Sequence, residues 1–238
     1  TSGLADPTAV AEIFLVEGDI QKAFVLDGVL TLVDAAHIIQ HLDEEKPEGV
    51  INEAVRQLAL ADRILLNKCD LVDGPTLQEV QTRISAINAG APIRRTVNSM
   101  TDMEFLMGIQ AFSLDHASDI RGDLLRGSLN HRHDDRVGSV CLDVVGDVDK
   151  AEFDAWLQSL LRSRGSDIFR CKGVLAVSGF AHQYVFQGIH SVLSIASHRP
   201  WASDEERRCK LIFIGKELDK HDLVNGFMDC KLPVWSCE

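Results

Sequence analysis

Two short apolar runs restrict the folds open to this chain more than any other feature. Residues 28–35, GVLTLVDA, and residues 63–67, RILLN, show no alternation of apolar and polar side chains. A strand with one wet face would alternate, because successive side chains point to opposite faces of a sheet. Runs without alternation belong to strands covered on both faces. Between them, residues 47–62 carry Ile51, Ala54, Val55 and Leu58 at helical spacing. Strand, helix and strand in that order imply an α/β arrangement, a parallel sheet with helices on both faces. A helix over about 76–87 and a short strand over 92–97 continue the pattern. Upstream, Asp6-Pro7 reads as an N-cap followed by proline at the first helical position. It opens an amphipathic helix through Val10, Ile13, Phe14 and Val16.

The pattern stops at residues 113–136, SLDHASDIRGDLLRGSLNHRHDDR, which are polar, charged and aperiodic and read as a linker. A second unit follows over residues 137–238. VGSVCLDVV is a strand. DKAEFDAWLQSLL is a helix with Phe153, Trp156, Leu157, Leu160 and Leu161 on one face. Three further strands and a closing helix give the order βαβββα, an α+β domain with helices on one face of a mostly antiparallel sheet. The expected organisation is therefore a sheet domain over 1–112, a linker, and an α+β domain from 137. The polar linker predicts few contacts between the two, so the second should fold alone.

The chain has 238 residues, 45% of them hydrophobic and 25% charged, which suits ordinary globular cores. Its formal net charge of -12 would repel DNA or RNA, so nucleic acid is excluded as a partner. No apolar stretch is long enough to span a bilayer, so a membrane is excluded as well. The six cysteines are scattered without a CxxC pair and read as free thiols of a reducing compartment, with the cytoplasm expected first and the nucleus second.

The run at 63–67 ends in Asn67-Lys68-Cys69-Asp70. In open α/β sheets, ligands bind beyond the carboxyl ends of the strands. The residue types at this end suit guanine. A carboxylate at Asp70 can accept from the ring N1–H and from the exocyclic amine, an arrangement adenine does not offer. The Asn67 amide can donate to the acceptor edge and tie the loop to its neighbours. The Lys68 stem can lie along the base plane with its ammonium in water. The competing reading is a polar turn after a strand, with Asp70 capping the next segment. Three fixed letters do not decide between them.

Several segments in order carry a more specific resemblance: TSGLADP (1–7), LVDA (32–35), QLALADRILLNKCDLV (57–72), FQGIH (186–190) and LIFIGKELD (211–219). Together they resemble the CobW-domain P-loop GTPases, and HLDEEKPEGVINEA (41–54) is similar to the eukaryotic zinc-chaperone subgroup, the zinc-regulated GTPase metalloprotein activators. The resemblance implies a GTP-driven metallochaperone with GTP, Mg2+ and zinc as its cofactors. It implies a client metalloenzyme as partner, a methionine aminopeptidase for the zinc subgroup. It also places Thr1, Ser2 and Gly3 in a switch segment that senses the γ-phosphate.

The chain departs from that family in having no GxxxxGK[ST] phosphate loop and no CxCC motif. The expectation is a C-terminal portion of a longer protein, with a docking or regulatory module lacking catalysis as the alternative. Residues 1–238 by themselves should then turn over no GTP, and the first unit should be marginally stable. The linker sequence HRHDD, with His131, His133, Asp134 and Asp135, is an incomplete metal site and reads as solvated chain. Cys69, Cys230 and Cys237 read as packing or tail thiols. Asp34 ends a strand beside the presumed nucleotide face and receives no role.

Overall fold

A computed structural model describes residues 1–3, 5–47, 50, 52–112, 137–190 and 192–232. The first part builds a three-stranded sheet from β1 (Leu30–Asp34), β2 (Arg63–Asn67) and β3 (Ile93–Arg95), in that order and parallel throughout. The helices are α1 (Thr8–Val16), α2 (Gly18–Ala23), α3 (Ile38–Leu42), α4 (Glu53–Leu60), α5 (Gly74–Ile87) and α6 (Met103–Leu106).

Local chemistry sets the helix starts. The Thr8 N–H donates to Asp6 Oδ1 at 3.0 Å, so Asp6 caps α1 as expected. Asn52 accepts from the Ala54 and Val55 N–H groups, which begins α4 well inside the helix expected over 47–62. Asp73 caps α5, with Pro75 in its first turn.

β2 is the covered strand that its apolar run requires, with Ile64, Leu65, Leu66 and Asn67 all buried. β1 differs. Thr31 and Val33 are buried, but Leu30 and Leu32 are exposed. Among the described residues β1 pairs on one side only and lies at the edge of the sheet.

The second part contains β4 (Val137–Val145), α7 (Lys150–Arg164), β5 (Ile168–Leu175), β6 (His182–Ile189), β7 (Val192–Pro200), β8 (Arg208–Lys216) and α8 (Lys220–Asp229). Its sheet is antiparallel in the order β4-β8-β5-β6-β7. It has one strand more than the apolar pattern showed, because the chain reverses at His190, at φ +48°, and returns as β7. β7 is an edge strand of mostly half-exposed residues, so it lacks the apolar run that marks its neighbours.

Both faces of this sheet are buried, and by different partners. Cys209, Leu211 and Phe213 of β8 face Phe153 and Leu157 of α7 and Leu223 and Phe227 of α8. The intervening Ile212 and Ile214 share a core with Leu58 and Leu60 of α4 and Ile84 and Ile87 of α5, joined by Phe169 and Ile189. Polar contacts reinforce this junction. Arg170 pairs with Asp62, and its Nη1 donates to the Leu60 carbonyl at 2.7 Å. Gln187 Nε2 donates to the Phe112 carbonyl at 2.7 Å, and the Arg56 guanidinium lies 5.2 Å from the Phe169 ring centroid. The expectation of few crossing contacts is therefore not met. A sheet buried on one face by its own helices uses the first part of the chain to bury the other.

Close packing leaves room for glycine alone at several places in the second part, two of them against aromatic rings. A Cβ on Gly173 would lie 2.2 Å from the Phe186 ring, its cross-strand partner. One on Gly226 of α8 would lie 2.2 Å from Trp156 Nε1 of α7.

Candidate functional site

The carboxyl ends of β1 and β2 lie side by side, with Asp34 opposite Asn67 in register. The backbone turns sharply there. Lys68 adopts a left-handed conformation at φ +61°, and Cys69–Leu71 form one turn of 3-10 helix. The loop after β3 carries two further left-handed residues, Asn98 at φ +52° and Ser99 at φ +57°. A left-handed backbone costs non-glycine residues about 1–3 kcal/mol each and persists where surrounding contacts enforce it.

Those contacts centre on Asn67, which is 9% exposed. Its Oδ1 accepts the Ser99 N–H at 2.8 Å and the Thr96 hydroxyl at 3.2 Å, while its Nδ2 donates to Ser99 Oγ at 3.0 Å. The Cys69 N–H donates to the Thr96 carbonyl at 3.2 Å, and the Asn67 carbonyl accepts the Ala35 N–H at 2.9 Å. The Asn67 side chain thus holds the end of β2 to the segment after β3, and its backbone carbonyl holds it to the end of β1. One Nδ2 hydrogen remains for a ligand.

Lys68 turns back across the strand ends. Its Nζ meets Asp34 Oδ2 at 2.6 Å, and His37 Nδ1 lies 3.0 Å from the same oxygen. Asp34 Oδ1 accepts the Ala36 N–H at 2.9 Å. Burial pushes the Asp34 pKa up, but the bonds from Lys68, His37 and Ala36, with the Lys68 charge, outweigh it and hold the carboxyl down at about 2.

Asp70 stands apart. It is exposed, and its carboxylate has no hydrogen-bond or ion-pair partner among the described residues. It does not cap the following helix, since Asp73 performs that task. A rigid asparagine and a lysine stem beside an uncommitted carboxylate fit a purine whose edge offers two N–H donors.

Thr1, Ser2 and Gly3 are exposed and lie against α4, where Gln57 Nε2 donates to the Ser2 carbonyl at 3.0 Å and the Ala5 carbonyl at 2.7 Å. Among the described residues, no hydrogen bond joins them to Asn67, Lys68 or Asp70.

No group of three or more His, Cys, Asp or Glu among the described residues is placed to hold a metal ion, and none of them is assigned to Mg2+. The HRHDD sequence and Cys237 lie outside the described residues. Burial pushes the Cys230 thiol up to about 11 and the Cys171 thiol to about 12, so both stay protonated and pack as small apolar groups. Cys69, half-buried, donates to the Leu66 carbonyl at 3.0 Å.

Sequence reasoning misses Thr96 and Ser99. Their one signal is the polar residues Thr96, Asn98 and Ser99 at and beyond the end of the short strand, which close β3 as Asn67 closes β2.

A parallel sheet with a polar loop at its carboxyl ends, backed by a second antiparallel sheet, is the architecture of a known class of nucleotide-binding proteins. Residues 1–95 match the CobW/HypB/UreG nucleotide-binding domain, and residues 137–231 match the cobalamin synthesis protein cobW C-terminal domain. The chain belongs to the CobW family. It is 27% identical over 226 residues to the zinc chaperone YjiA of Escherichia coli, covering 95% of this chain and 68% of that protein. It is 30% identical to the zinc-regulated GTPase metalloprotein activator 1 of Saccharomyces cerevisiae, covering 94% of this chain and 59% of that protein. The crystal structure of Zn(II)-bound YjiA GTPase from E. coli superposes with a TM-score of 0.81 at 25% identity, covering 96% of this chain and 69% of that one. No helix among the described residues is long and apolar enough to cross a membrane.

Proposed function

We propose that this chain carries the base-reading and C-terminal parts of a GTP-dependent metallochaperone that delivers zinc to a client metalloenzyme. The observation that carries the reading is the free Asp70 carboxylate beside a locked Asn67, at the carboxyl ends of a parallel sheet. Asp70 reads the N1–H and exocyclic amine of guanine. Asn67 holds the loop and donates to the acceptor edge, and Lys68 floors the base plane. Thr1, Ser2 and Gly3 belong to the segment that senses the γ-phosphate, and their tether to Gln57 gives them a route to α4. That helix packs against the second sheet through Leu58 and Leu60, so a change at the switch has a path to the C-terminal part. The zinc cargo rests on the relatives, which are zinc chaperones or zinc-regulated activators by name. A methionine aminopeptidase is the proposed client.

The test is zinc transfer by the intact gene product to an apo metalloenzyme, with GTP, with GDP and with an Asp70→Ala variant. The reading expects transfer that depends on GTP and is lost in Asp70→Ala. Transfer that ignores the nucleotide, or that survives the substitution, overturns it.

A further inference from the structure

Asp34 has no part in the base-reading scheme, yet it is the side chain that Lys68 contacts most closely. We infer that Asp34 is a positioning residue of the guanine site, one that holds the Lys68 stem in place as the floor for the purine ring. The inference rests on the base-reading assignment of Asn67, Lys68 and Asp70.

The geometry carries it. Lys68 leaves the strand end with a left-handed backbone, which aims its side chain back over β1 instead of into solvent. A four-carbon chain on a surface samples many rotamers, and fixing it costs side-chain entropy. The ion pair with Asp34 Oδ2, at 2.6 Å, restricts those rotamers before any ligand arrives. Asp34 is itself held in place. It sits opposite Asn67 in the sheet register, its Oδ1 is fixed by the Ala36 N–H at 2.9 Å, and His37 approaches Oδ2 at 3.0 Å. β1 thereby supplies a third part of a site otherwise built from the loops after β2 and β3. Asp34 touches no base atom in this scheme. It acts only through Lys68.

This role leaves a signature that Asp70 would not. Lys68 meets the face of the ring, and every purine has the same face. Loss of Asp34 should weaken all purine nucleotides by the same factor. Loss of Asp70 should change the preference among them.

The experiment measures equilibrium binding of GDP, XDP and ADP to the intact gene product and its Asp34→Asn, Lys68→Met, Asp34→Asn/Lys68→Met and Asp70→Asn variants. Asparagine keeps an acceptor for the Ala36 N–H, so the turn at 34–36 is preserved. Asp34→Asn should weaken GDP and XDP alike by about two- to fivefold, the range for one partly exposed ion pair. In the Lys68→Met background the same substitution should have no effect, because the residue it acts through is gone. Selective acylation of the Lys68 amine, read by mass spectrometry, should rise in Asp34→Asn. A loss of affinity as large in the Lys68→Met background as in the unaltered one overturns the inference, as does an Asp34→Asn variant with unchanged affinity. If instead the unaltered protein shows no preference for GDP over ADP, or Asp70→Asn leaves that preference intact, the base-reading assignment fails and this inference falls with it.

Discussion

Replacing Arg170 with methionine tests whether the two parts of the chain stand or fall together. Arg170 is 7% exposed, and its guanidinium bonds the Asp62 carboxylate and, at 2.7 Å, the Leu60 carbonyl, while lying 5.4 Å from the Phe112 ring centroid. The other Asp62 oxygen accepts the Val29 N–H at 2.9 Å, so this one pair links β5 to the entries of both β1 and β2. Methionine fills much of the arginine stem's volume but strands the Asp62 charge in a site where the side chain is 7% exposed. Breaking a buried pair from one side costs about 3–5 kcal/mol, against about 0–1 kcal/mol for an exposed one. The larger figure applies, since both side chains are nearly sealed from water. Trp156, Trp201 and Trp235 all follow residue 136, so tryptophan fluorescence reports the second part, while far-UV circular dichroism also reports α1 to α5. Under urea the two signals should give one midpoint in the unaltered chain. Both midpoints should fall together in Arg170→Met, and Asp62→Asn/Arg170→Met should recover most of the loss because no charge is left unpaired. A loss under about 1 kcal/mol, or a fluorescence transition that stays fixed while the dichroism transition moves, would refute the shared-core account.

Three further outcomes follow from the same geometry. Gly226→Ala should destabilise the second part by about 1–3 kcal/mol, since its Cβ would meet Trp156 Nε1 at 2.2 Å, and a shift in the tryptophan emission should accompany it. Asp34 has its pKa lowered from 3.8 to about 2, so it contributes stability that is fully present above about pH 4 and lost as pH falls through about 2. Acid titration should accordingly show Asp34→Asn less stable than the unaltered chain at neutral pH and equal to it near the bottom of that window. Residues 1–238, which contain no GxxxxGK[ST] sequence, should bind GDP weakly through base contacts and show no GTP turnover, checked by phosphate release from the purified chain.

The strands that are covered on both faces were the most legible part of the fold. RILLN became β2 without adjustment, because burial leaves an uninterrupted apolar run, and VGSVCLDVV became the edge strand β4, of which Val140 and Leu142 are buried. β7 was not legible, since an edge strand such as Val192–Pro200 needs no such run. The junction between the two parts was hidden for a different reason. Ile212 and Ile214 read as ordinary strand residues, and their alternation with Leu211 and Phe213 shows two buried faces without saying what covers the second. At the site, Asn67, Lys68 and Asp70 were visible as a strand ending in polar groups. Their partners Thr96, Ser99 and Asp34 lie about 30 residues away in sequence, and only the parallel register brings them close.

The central claim is that Asp70 reads guanine, and an exchange of base preference tests it most directly. Asp70→Asn in the intact gene product replaces an acceptor for two N–H donors with an amide, which suits the altered edge of xanthine. Losing two charge-assisted bonds should weaken GDP by about 2–4 kcal/mol, or about thirtyfold to a thousandfold. The account predicts that loss together with a gain in XDP affinity, measured by equilibrium titration of the same preparation. Unchanged GDP affinity with no gain for XDP would contradict it.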